Sequence, residues 1–100
     1  MAGYFLVKRT HRRSWDAPRL RREQSGWEEH AAFMDALVEE GVIVLGGPVG
    51  EGDGHSALLV MEANDSGEVR ARLAADPWGE DMLVTASIEP WSIFLRRGPG

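Results

Sequence analysis

The chain has no cysteine in its 100 residues. That excludes a disulfide framework and any thiolate chemistry. It also has no long apolar run: none approaches the roughly 20 residues that a membrane-spanning helix needs. The first residues, MAGYFLVKRTHRR, place their charges after a short apolar stretch. A secretory signal has the opposite order, so the expected location is the cytoplasm. The three histidines, His11, His30 and His55, form no HxxxH or HxH pair, and no metal is expected. No GxSxG elbow is present. The glycines between 46 and 54 precede no helix and no P-loop lysine, so neither a dinucleotide fingerprint nor a phosphate cradle is expected. No cofactor is implied, and there is no internal repeat or low-complexity segment.

What is present begins with charge. The net charge is -5, yet seven of the eleven basic residues fall between Lys8 and Arg22. Ser14, Pro18 and Ser25 mark that stretch as a loop. A solvated basic loop is the plain reading, and a lid whose arginines meet an anion is the sharper one. Few aromatics interleave with the arginines and the whole chain is acidic, so nucleic acid is not the expected partner.

Periodicity places the elements. GYFLVKR, 3–9, has the aromatic and β-branched content of a strand. A helix is expected from about Gly26 to Glu40, with Gly41 as its stop signal. VIVLGGP, 42–48, reads as a strand whose unbroken apolar run suggests burial on both faces. A turn-rich GEGDGH, 50–55, joins it to a third strand, 56–63. Asp65 and Glu68 have capping-box spacing for a short helix reaching about Ala75, with Ser66 as a competing cap. LVTASIEPW begins the fourth strand, with Ile93 and Leu95 as its expected continuation past Pro90. The order β-α-β-β-α-β is the ferredoxin-like plan, an α+β fold with both helices on one face of a four-stranded antiparallel sheet. One domain over 1–95 is expected, followed by a flexible tail over 96–100. An apolar sheet face left without helices predicts a two-fold homodimer that packs sheet to sheet.

The candidate chemistry centres on His30. With a turn of about 100° per residue, Trp27, Phe33, Met34 and Leu37 fall within about 60° of it, while Glu28, Asp35 and Glu39 point away. His30 therefore faces the interior near the start of its helix. A hydrogen-bonded core histidine and a site residue in a pocket between helix and sheet both fit. Asp76, directly before Pro77, is the carboxylate best placed to meet it. A carboxylate on one imidazole nitrogen would fix the tautomer and leave the other free as a base. A plain turn residue before proline is the competing reading of Asp76.

The combination of His30 with AAFMDALVEEG and VIVLGGP, then Asp76-Pro77-Trp78, then Ile88-Glu-Pro-Trp91, resembles the YciI-like (YCII-related domain) family, from about Trp27 to Trp91. The resemblance implies a ferredoxin-like fold, dimers with dimeric α/β-barrel packing, and a histidine–aspartate active-site pair at His30 and Asp76. It maps the family's GP turn onto Gly47 and Pro48, and the aromatic after DP onto Trp78. Relatives often carry arginine three residues before the helix histidine. Here that residue is Trp27, so either an anionic ligand meets a substitute from Arg19 to Arg22 or the ligand is a different one. The expectation is a dimeric, cofactor-independent lyase or isomerase acting on a small organic acid or hydroxylated ring. Trp27, Met34, Trp78 and Trp91 would wall its apolar pocket. The alternative is a non-catalytic ligand-binding or accessory module.

Overall fold

A computed structural model gives the fold and describes residues 2–51 and 54–98. Gly52 and Asp53 of the expected turn, and Pro99 and Gly100 of the expected tail, lie outside the described residues. The elements in chain order are β1 (Gly3–His11), a 3-10 turn (Arg21–Glu23), α1 (Trp27–Glu39), β2 (Ile43–Val49), β3 (Ser56–Ala63), α2 (Ser66–Leu73) and β4 (Leu83–Trp91). The four strands form one antiparallel sheet in the order β2-β3-β1-β4, which is the ferredoxin-like arrangement. No helix among the described residues is long and apolar enough to cross a membrane.

The ends of the helices follow from local chemistry. At the end of α1, Gly41 takes φ 80°, a left-handed conformation that costs glycine little. The Gly41 N–H then donates to the Val38 carbonyl and the Val42 N–H to that of Leu37, which stops the helix and turns the chain into β2. Asp65 caps α2 by accepting the Glu68 N–H at 2.8 Å. The helix closes at Leu73, two residues short of the expected end.

Alternation along the strands divides the sheet's faces. Phe5 and Val7 of β1 and Leu59, Met61 and Ala63 of β3 are buried with Leu37 of α1 and Val69 and Leu73 of α2. The opposite face carries Leu6 and Leu45, both in register with Val60, and Leu58, in register with Lys8 and Gly47.

Two expectations change. β2 is an edge strand rather than one buried on both faces: Ile43 is buried, while Val44, Leu45 and Val49 are exposed. Its apolar run reflects two half-covered faces at an open edge. β4 ends at Trp91, and Ser92 to Gly98 adopt no regular structure. Pro90 is accommodated because β4 is the other edge.

Gly46 marks a close approach between strands. A Cβ there would lie 2.5 Å from Leu59 Cδ2 and 2.9 Å from the Leu58 carbonyl oxygen. Backbone cannot yield as a side chain can, so Gly46→Ala should lose about 1–3 kcal/mol of stability. Urea unfolding measures this, and an unchanged midpoint would refute the account of β2–β3 packing.

Candidate active site

His30 enters the interior from the first turns of α1. Its side chain is buried, and its backbone N–H donates to the Gly26 carbonyl at 3.0 Å. Asp76 arrives from the turn after α2. The His30 Nδ1 lies 2.8 Å from Oδ1 and 2.9 Å from Oδ2 of Asp76, across 46 positions of sequence. The Asp-Pro-Trp sequence explains how the carboxylate is aimed. Its Oδ1 accepts the Trp78 N–H at 2.9 Å, an Asx-type turn closed over Pro77.

A third group completes the cluster. Arg9 Nη1 donates to Asp76 Oδ2 at 2.8 Å, and Nη2 donates to the Leu83 carbonyl at 3.3 Å. The side chains of Arg9 and Asp76 are 4% and 1% exposed, so this ion pair is fully internal. Burial by itself pushes the Asp76 carboxyl up. Hydrogen bonds from His30 and Arg9, the charge of the imidazole and the Trp78 N–H act the other way, and the carboxyl is held below its ordinary value of 3.8. An ionised carboxylate only accepts, so the hydrogen shared with His30 belongs on Nδ1.

Aromatic rings support the imidazole from behind. Trp78 stacks on His30 with centroids 3.9 Å apart and planes 11° from parallel. Its Nε1 donates to the Ser25 carbonyl at 2.8 Å, tying the stack to the segment before α1. Trp15 meets Trp78 edge-on at 5.4 Å and stacks on His11 at 3.6 Å. The segment between β1 and α1 is thus folded against the site. Buried Gln24 organises it, donating to the Asp16 and Arg19 carbonyls and accepting the Asp16 N–H. A loop merely solvated does not describe it.

In front of His30 is a cavity of about 470 Å³ between α1, β2 and the sheet. Of the residues expected at the site, Trp27, His30, Met34, Gly47 and Pro48 line it. Asp76 stands behind His30, off the cavity wall. Trp78, expected on the wall, is buried against the His30 ring and is not among the lining residues. Trp91 is on β4, 43% exposed and also outside the lining. The structure adds Arg9 and Asp35 to the wall, neither of which the sequence reading placed there, and of the Arg19 to Arg22 segment it brings Arg21. The signal for Arg9 was available: it continues the Phe5, Val7 alternation onto the buried face. Arg21 comes from the 3-10 turn, its guanidinium 5.1 Å from the Trp15 ring.

The arrangement can accept a proton at one imidazole nitrogen and return it, while the other is held by a carboxylate. Among the described residues, no group of three histidine, aspartate or glutamate side chains is placed to hold a metal ion.

Comparison with known proteins bears on the family and the fold. Residues 4–92 match the family model of the YCII-related domain. A solved structure, 5-chloro-2-hydroxyhydroquinone dehydrochlorinase from Burkholderia phenoliruptrix AC1100 in complex with 2,5-dihydroxybenzoquinone, is 26% identical. It superposes with a TM-score of 0.59, covering 89% of this chain and 93% of that one. No curated protein sequence matches.

Proposed function

The chain belongs to the YCII-related domain family, and from that premise we propose that it is a cofactor-independent lyase or isomerase acting on a small hydroxylated ring or organic acid. The observation that carries the reading is His30: its Nδ1 is held by both oxygens of a buried carboxylate, while its ring lines a cavity. That volume suits a one-ring molecule, at the lower end of the range for small-ligand sites.

In this reading His30 Nε2 takes a proton from the substrate, from a ring hydroxyl or an acidic C–H. The electron pair released moves into the ring system. In an elimination it expels a leaving group with its bonding electrons; in an isomerisation His30 returns the proton to another atom. Asp76 keeps Nδ1 protonated throughout and stabilises the imidazolium that forms. Trp27 and Met34 supply apolar walls, and Gly47 and Pro48 shape the strand side without bulk. The structural relative's hydroxylated quinone ligand and its dehydrochlorinating chemistry point to the same substrate class.

The test is a panel of hydroxylated quinones, chlorinated hydroquinones and small unsaturated acids. Binding is followed by quenching of tryptophan fluorescence and turnover by absorbance. Turnover of a panel member supports the reading; tight binding with no turnover would favour a ligand-binding module instead.

The proposal includes a homodimer formed through the sheet face opposite the helices. Leu6, Leu45, Leu58 and Val60 share that face, and Trp91 pairs with Tyr4 on its border. Sedimentation equilibrium should give twice the chain mass, and Leu58→Glu should give a monomer. A monomeric wild type would remove the dimer from the account.

A further inference from the structure

We infer that Arg9 is a positioning residue of this site: as a permanent cation on Asp76, it lets the His30–Asp76 pair give up its second proton and hold the imidazole ready as a base. The inference rests on the acid–base reading above and extends it to a residue outside the pair.

Arginine is almost never fully buried without a partner, and Arg9 is 3% exposed. Its place is built into the sheet. The β1–β4 register shifts between Lys8, opposite Ser87, and Arg9, opposite Thr85, leaving Ala86 as the extra residue of a bulge. Such a bulge re-aims the side chains beside it. Here Arg9 meets Asp76 Oδ2 and the Leu83 carbonyl, and it also borders the cavity.

Charge decides what this does. A carboxylate removed from water needs a compensating positive charge. If His30 were its only partner, the pair with its carboxylate ionised would be neutral overall only with both imidazole nitrogens protonated. A ring in that state cannot take a substrate proton. With Arg9 present, the carboxylate is already balanced by a group that does not lose its proton. The imidazole can then be neutral, its Nδ1–H still donated to Asp76. The other charged groups around the cluster are Arg21 and Asp35 on the cavity side, and Arg70 and Glu80 where Arg9 faces α2 and the turn after it. They are two cations and two anions, so they leave the local balance to Arg9.

The test follows the His30 imidazole ¹⁵N signals against pH in the wild type, Arg9→Met, Arg9→Gln and Arg9→Lys. In the methionine variant the pair should hold its second proton to higher pH, with at least about tenfold greater proton affinity, or one pH unit. The lysine variant keeps the charge and should lie close to the wild type. The glutamine variant keeps a donor toward Asp76 and takes the place of methionine if that variant fails to fold. A neutral variant that unfolds more easily yet shows an unmoved midpoint would reduce Arg9 to a structural role and overturn the inference. So would a lysine variant displaced as far as the neutral ones. The measurement needs no substrate. A failed turnover screen therefore leaves its outcome intact, and a failure here leaves the catalytic proposal to be judged by turnover.

Discussion

His30→Ala should lower kcat on a confirmed substrate by about 10²- to 10⁴-fold, the range that a positioned general acid or base supplies. Ligand binding should weaken far less, because Trp27, Met34 and the β2 wall around Gly47 and Pro48 remain. The prediction separates the two readings of a buried histidine. A histidine that served only the core would, when removed, cost stability and leave a folded fraction still active. A base would, when removed, leave a folded protein that binds and does not turn over. Stopped-flow kinetics on the variant, with circular dichroism on the same sample, decides between them. Retained turnover by a folded variant removes His30 from the mechanism.

Asp76→Asn should be the most destabilising conservative change at the site. It leaves the buried Arg9 guanidinium without its counter-charge, and breaking an internal ion pair by removing one partner costs about 3–5 kcal/mol. The effect should depend on pH in a stated direction. The folded protein holds the Asp76 carboxyl below its ordinary value of 3.8. The stability gained from its ionisation is therefore fully present above that ordinary value and is lost as pH falls through the lower, folded one. The wild type should exceed Asp76→Asn by the full margin at pH 5, and the gap should close progressively once pH drops below 3.8. Urea unfolding at a series of acidic pH values measures the gap. A margin that stays constant through that range would mean that the charge of Asp76 contributes nothing to folding.

Much of this arrangement was legible from local pattern, for reasons that can be named. His30 could be placed on the inner face of α1 because helical periodicity depends only on spacing. Gly41 and Asp65 announced helix ends because each supplies one conformation or one acceptor that the backbone needs there. Asp76 before proline was a recognisable turn residue, and the family resemblance paired it with His30. Contact between them was not legible, because it depends on how α1 and α2 settle on the sheet.

The missed features share a cause: neighbourhood in sequence masked neighbourhood in space. Arg9 was submerged in a run of basic residues, although its strand parity assigns it to the buried face. Trp78 was expected on the cavity wall because it follows Asp76. The Asx-type turn that aims the carboxylate instead brings the indole against the back of the His30 ring. Burial of β2 was overestimated because an apolar edge strand and an apolar central strand read alike; only the sheet order distinguishes them.

The most direct measurement of the central claim is the tautomer of His30, read from two-bond ¹⁵N–¹H correlations of the imidazole in its neutral form. The proton should lie on Nδ1, donated to Asp76, with Nε2 bare and able to take a proton from a ligand in the cavity. A proton on Nε2, with Nδ1 bare, would mean that the carboxylate does not hold the ring as described. His30 would then be a buried structural histidine and not the base of this site.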